Sequence, residues 1–329
     1  MKRDSCLAII EMTTNEFYHT PSKGKAGRKK SSLTKYRNPK SMVVSMKPNE
    51  DVVMEAIGIK LDPDHANWYR LITRTLNLNG YYINHKKLYR LLQEFALLED
   101  KPRPANKKYV KYRKVTPTGP LQVLEMDIKH IWIYSSKRYC YVFTILDTFT
   151  RFTLYWDYGY SMKSDQIKDA WEFVIANFLQ NCTSPISTIL IVVRSDNGPQ
   201  FEAHVLKVFF EENNISHEFT HPYTPEENGH IESFHSILTK AIESDHFEVL
   251  SQIPKRLTKF YSTYNDHRSH SGIKGLPPAI FWALIDLEKI EVKIDTTKKQ
   301  DHKVWLKVAY QDILTLKGID SYQHRAIRG

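Results

Sequence analysis

Cysteine is scarce in this chain of 329 residues: only Cys6, Cys140 and Cys182 occur, and none stands at the paired spacing of a zinc knuckle or a redox motif. Long apolar runs are missing too. No stretch reaches eighteen consecutive apolar residues and the first residues carry no apolar signal region, so the expectation is a cytoplasmic protein, neither inserted in a membrane nor secreted. Acidic residues are absent from Lys101 to Lys114, which holds seven Lys and Arg and two prolines. No long heptad run offers a dimerising coiled coil.

Hydrophobic residues at 41% and charged residues at 26% are ordinary for a soluble globular protein. The length suffices for one sizeable core plus one or two small modules. The net charge of +10 is unevenly placed: residues 1 to 120 hold 24 Lys and Arg against 11 Asp and Glu, and the remainder hold 23 against 26. A basic arm on a near-neutral body is the footprint of a polyanion-binding protein. A solvated basic face is the plainer alternative.

The most apolar run, Thr188 to Arg194, is short and rich in β-branched residues, and reads as a strand buried on both faces. Asp196 ends it and Asn197-Gly198-Pro199 breaks it. A carboxylate at the tip of a buried strand is held rigidly and can share a metal ion with an acid from an adjacent tip. Asp127 is the candidate for that second acid. It lies where Leu121, Val123, Glu125 and Asp127 alternate with Gln122, Leu124, Met126 and Ile128, which makes Glu125 a rival ligand. Glu232 sits in a helix-like segment, with thirty-five residues between it and Asp196. Tyr139–Leu146, Phe152–Tyr158 and Ser216–Phe219 predict further strands, with Asp147 in the turn between the first two. Helices are expected after a Ser164 cap and over Phe201–Asn213, His230–Glu243, Leu250–Asn265 and Pro277–Leu287.

Four phrases in order carry a family resemblance: Glu125-Met126-Asp127-Ile128, Ser195-Asp196-Asn197-Gly198, Pro222 through His235, and Tyr264-Asn265 followed by Arg268, His270 and Pro277. They resemble the transposase and retroviral integrase superfamily, and within it the second-frame (OrfB-type) transposases of bacterial insertion sequences, over roughly residues 65 to 282. The resemblance implies an α/β fold with a ribonuclease-H-like catalytic core, a five-stranded mixed sheet with flanking helices, preceded by a small helix-turn-helix-like DNA-binding segment. It implies an Asp-Asp-Glu triad of Asp127, Asp196 and Glu232 that holds two Mg²⁺ ions, with Mn²⁺ as a substitute, for DNA cleavage and strand transfer. It further implies that Asn228 and His235 position DNA and that Pro222-Tyr223-Thr224-Pro225 is a mobile loop over the DNA end. Two departures stand out. The base common seven residues after the Glu is displaced from Thr239 to Lys240, and Lys129 replaces a frequent Thr. The alternatives are a non-catalytic DNA-binding relic or regulator, against which the intact triad argues, and a retroelement-type integrase, against which the lack of a zinc module argues.

The expected organisation is a short helical segment over 1–20, a basic, partly disordered linker over 21–63, the helix-turn-helix-like segment over 64–100, a basic linker over 101–118, the catalytic core over 119–287 and an appendage without assigned role over 288–329. In the helical segment Asn84 is a candidate cap, and Lys86, Lys87 and Arg90 lie opposite the apolar stripe as candidate DNA contacts. DNA, a second copy of the chain on that DNA, and a partner or fusion from an overlapping upstream reading frame are the expected partners, with the protein associated with the nucleoid. Lys107, Lys108, Lys111 and Arg113 form an extended strap with Tyr109 and Tyr112 that suits a phosphate backbone. Replacing those four bases with Ala is expected to weaken DNA binding and to lower the slope of log affinity against log salt by about one unit per lost contact. A salt titration reads this directly, and an unchanged slope makes the strap a solvated tether.

Overall fold

The structure is a computed structural model and describes residues 30–98, 117–180, 191–221, 225–295, 301–317 and 319. Its contacts divide the chain into Met1–Leu33 and Thr34–Gly329. The helical segment expected over 1–20 and the 101–114 strap, with Lys107, Lys108, Lys111 and Arg113, lie outside the described residues. The linker expected over 21–63 is instead folded from residue 33 onward. β1 (Leu33–Arg37) pairs with β2 (Val44–Pro48), and α1 (Asn49–Leu61) follows. The basic composition conceals an apolar face there: Val52, Val53 and Ala56 are buried with Ile72, Leu76, Leu88, Leu91 and Leu92.

α2 (Tyr69–Leu78) and α3 (His85–Glu94) complete this module. Gly80 turns the chain between them at φ +100°, and a Cβ there would lie 2.0 Å from the Arg37 carbonyl oxygen, so the position tolerates only glycine. Asn84 caps α3 as expected, its Oδ1 accepting the Lys87 N–H at 2.8 Å.

The central sheet follows. β3 (Val123–Ile133), β4 (Arg138–Asp147) and β5 (Thr153–Gly159) form an antiparallel meander. α4 (Ser164–Val174) then leads to β6 (Ile191–Ser195), α5 (His204–Glu212) and β7 (Ile215–Phe219). β6 and β7 add in parallel, giving the order β5-β4-β3-β6-β7. α4 starts one residue earlier than its expected cap implies: Lys163 is the N-cap residue, and Gln166 Oε1 accepts its N–H at 2.9 Å.

Alternation sorts the strand residues between two layers. Leu124, Met126, Phe143 and Ile145 face α4 and α5, burying Ile167, Trp171, Leu206 and Phe210. Ile131, Ile133, Cys140 and Val142 face α6 (Gly229–Ala241) and α7 (Gln252–Asp266), burying Phe234, Leu238, Phe260 and Tyr261. This is the ribonuclease-H-like arrangement. Among the described residues no helix is long and apolar enough to cross a membrane.

The last part of the chain turns back onto the first. After α8 (Pro278–Asp286), β8 (Ile290–Asp295) and β9 (Asp301–Leu306) form a hairpin and α9 (Tyr310–Ile313) follows. Ile313 and Ile319 are buried with Leu78 of α2, Phe149 and Phe281. Arg37 donates to the Asp312 carboxylate and the Gln311 carbonyl, and the Arg74 guanidinium lies 4.3 Å from the Tyr310 ring centre. The described part of the 288–329 appendage thus closes over the helical module.

A second fastening joins that module to the core. Asp64, with no exposed side-chain surface, receives Arg256 of α7 through two bonds, Nη2 to Oδ1 at 2.8 Å and Nη1 to Oδ2 at 3.3 Å, and Arg268 Nη1 donates to its carbonyl at 2.8 Å. Removing one partner of a buried pair strands the other. Asp64→Ala is therefore expected to destabilise the protein by about 3 kcal/mol, the low end of the range for a broken buried pair because Arg256 keeps Asp245. Urea unfolding measures it.

Candidate active site

Parallel pairing of β3 with β6 aligns Val123 with Val192, Leu124 with Val193 and Glu125 with Arg194. Asp196 follows the last residue of β6, near enough to Asp127 of β3 for the two charges to interact. Asp127 is not at a strand tip, as expected, but in the middle of β3; it is uncovered because β6 ends at Ser195 beside it. Its Oδ1 accepts the Ile128 N–H at 2.7 Å.

The turn after β6 holds the second acid. The Gly198 N–H donates to Asp196 Oδ1 at 3.1 Å. A Cβ on Gly198 would stand 3.1 Å from that same oxygen, so the glycine lets its backbone close on the carboxylate. Burial, and then repulsion from Asp127, pushes the Asp196 carboxyl above its ordinary value, while the Gly198 N–H opposes the shift. The two acids therefore feel each other.

Glu232 is exposed on the first turn of α6. Three residues on, His235 places Nδ1 3.2 Å from Asp127 Oδ2. The helix with the third acid thus rests on the first through a histidine that is 8% exposed, and His235 is not the surface group that DNA positioning implied. Among the described residues no three acids or histidines stand close enough together to hold a metal ion. Of the loop expected to be mobile, Pro222-Tyr223-Thr224-Pro225, the first three residues lie outside the described residues, and Pro225 opens a short 3-10 turn, Pro225–Asn228.

Glu125, the rival ligand, has a different task. It is fully buried and its Oε2 accepts the Ile231 N–H at 2.7 Å, so a side chain of β3 caps the start of α6. Burial pushes its carboxyl up to about 7, against the pull of the Ile231 N–H, Arg151 and Arg194. Arg194 supports the same helix start, bonding Glu218 of β7 at 3.1 Å and donating from Nη1 to the Glu227 carbonyl at 3.3 Å. Sequence reasoning missed Arg194, although a guanidinium at the end of an apolar strand needs a buried partner. Asp147, expected in the turn, is instead the last residue of β4, paired with Leu124 of β3. Fully buried, it accepts the N–H groups of Leu121, Phe149 and Thr150.

The candidate DNA contacts separate. Lys86 and Lys240 are exposed. Lys87 turns inward and donates from Nζ to Thr34 Oγ1 at 2.8 Å. Arg90 lies 3.8 Å from Glu94 one turn on. Asn228 is 6% exposed, with Oδ1 buried in the turn before α6, and is no surface contact. Both inward positions follow a turn or a cap, where the backbone rather than the helical face sets side-chain direction.

A ribonuclease-H-like sheet that opens beside paired acids defines an integrase-type core. The integrase core domain model matches residues 117–225, and a second integrase core domain model matches 213–278. The 39.2 kDa protein of insertion element IS476 from Xanthomonas euvesicatoria is 28% identical over 230 residues, covering 68% of this chain and 63% of that protein. The putative transposase InsK of IS150 from Escherichia coli K12 is 24% identical over 223 residues, covering 64% and 75%. The catalytic core of BIV integrase, at 22% identity and a TM-score of 0.37, covers 51% of this chain and 98% of that one. The chain thus matches an integrase core domain over residues 117–278 and is similar to proteins of bacterial insertion elements, spanning 63% of the length of the IS476 protein.

The cap on α6 is separable from ligation. Glu125→Ala is expected to cost about 1–3 kcal/mol by leaving the Ile231 N–H unsatisfied. Glu125→Gln, whose amide oxygen accepts the same N–H, is expected to recover most of it in urea unfolding and to keep DNA cleavage. Loss of cleavage in a stably folded Gln variant would restore Glu125 as a ligand.

Proposed function

We propose that this chain is a DNA transposase that cuts and joins DNA strands in a metal-dependent reaction, with Asp127, Asp196 and Glu232 as its catalytic acids. The observation that carries this is the Asp127–Asp196 pair at the mouth of β3 and β6, with the α6 helix of Glu232 resting on Asp127 through His235. Three carboxylates are hard oxygen donors and fit Mg²⁺, or Mn²⁺ in its place. When bound, two such ions activate the attacking oxygen and stabilise the leaving one. The chain's own residues hold the geometry: the Gly198 N–H orients Asp196, the Ile128 N–H and His235 orient Asp127, and Glu125 and Arg194 fix the start of α6.

The DNA is the element's ends and its target, engaged by the exposed Lys86 and Lys240 and by the 101–114 strap. Assembly of more than one copy on DNA, with end recognition supplied by an upstream-frame partner or fusion, belongs to the same proposal. Asp127→Asn, Asp196→Asn and Glu232→Gln are each expected to reduce Mg²⁺-dependent nicking and strand transfer below detection, with thermal melting and duplex binding close to wild type. The assay uses purified protein and labelled duplex carrying the element ends. A variant that keeps near-normal strand transfer removes its residue from the triad, and binding without cleavage by the unmodified chain supports a DNA-binding relic instead.

A further inference from the structure

On the other flank of α6 a cavity of about 250 Å³ opens between that helix, the end of α7 and the loop that follows it. Arg151, His230, Arg268 and His270 line it, together with Ser269 and Ser271, and no Asp or Glu does. Two buried nitrogens there, Arg151 Nη1 and His270 Nε2, have no hydrogen-bond partner among the described residues. An unpaired buried donor costs roughly 1–3 kcal/mol, so the cavity has the charge and the open valences for an anion.

The carboxylates that interact with these arginines are committed elsewhere. Asp147 receives three backbone N–H groups and the Thr150 hydroxyl. Glu125 accepts the Ile231 N–H, Asp64 is bound by Arg256, and Asp62 accepts the Asp64 N–H and lies 3.3 Å from His65 Nδ1. Burial lowers the proton affinity of both guanidinium groups. It also holds His230 and His270 down to about 3, with further opposition from Arg151 at His230 and from Arg268 at His270. The backbone adds an independent sign. Arg151 has φ +65°, a conformation a branched or long residue adopts at a cost, and the turn that imposes it is fastened by Asp147. Strain at this position delivers a guanidinium to the cavity wall.

We propose that this cavity is a binding site for a phosphate group and that it takes a backbone phosphate of the DNA strand. Arg151 and Arg268 supply the charge, and the Ser269 and Ser271 hydroxyls supply neutral bonds. His230 and Ser233, which line the cavity, flank Glu232 on α6. The bound phosphate therefore anchors the strand beside the helix that carries the third acid, on a different face from Asp127. The DNA half of this proposal rests on the transposase reading; the phosphate half does not.

Gly272 allows a test that leaves every charge in place. A Cβ there meets Arg151 Nε and Nη2 at 3.7 Å, an ordinary contact, so Gly272→Leu fills the cavity while keeping the backbone. Orthophosphate is expected to raise the melting temperature of the wild-type chain over chloride at equal ionic strength, and Gly272→Leu and Arg151→Gln to abolish that gain. In anisotropy with a non-cognate duplex, Gly272→Leu is expected to bind about tenfold more weakly, the equivalent of one charge-assisted bond, and phosphate to compete with DNA only in the wild type. The proposal is overturned if phosphate gives no specific gain, if the gain survives in a cooperatively melting Gly272→Leu protein, or if that variant binds duplex as wild type does. Failure of the transposase reading, seen as duplex binding without cleavage by the unmodified chain, leaves the phosphate arm standing.

Discussion

Parallel pairing between β3 and β6 brings Asp127 and Asp196 together, and every other part of the site depends on it. Three aligned pairs, from Val123–Val192 to Glu125–Arg194, set that register. A slip of one residue would move the whole apolar set of β3 to the wrong face. The site is therefore specified by core packing. Leu124, Met126 and Val193 on one side and Ile131, Ile133 and Val142 on the other cannot be satisfied in any other register.

On that frame the third acid is mounted more loosely. Asp127 and Asp196 are tied to strand backbone, whereas Glu232 depends on where α6 begins. Glu125, Arg194 and His235 each fasten this helix to the sheet, the first two from positions two residues before the proposed catalytic acids Asp127 and Asp196. Ligand-bearing and helix-bearing side chains alternate along the same few residues of strand. A substitution aimed at one task disturbs the other unless it preserves the acceptor.

Much of this was legible in the chain. The alternation around Asp127, the β-branched run before Asp196 and the period of Ile231, Phe234 and Leu238 are local signals, and the structure carries them as strand, strand and helix. What stayed hidden depended on partners far away in sequence. Lys87 reads as an exposed base until Thr34 is placed beside it, and Glu125 reads as a ligand until Ile231 is. The 33–61 region reads as linker because Lys and Arg mask the short apolar face of Val52, Val53 and Ala56, which gains meaning only against α2 and α3. Arg151 sits in an unremarkable turn sequence, and its left-handed backbone has no counterpart in composition.

The closure of the appendage over the helical module also orders events in time. Arg37 and Asp312 are 275 residues apart, and at roughly 5–20 residues per second of synthesis about a quarter of a minute to a minute passes between them. During that interval the catalytic sheet can form while β1 to α3 still lack their last contacts. The helical module therefore gains its contacts with α9 only after the whole central sheet has been synthesised.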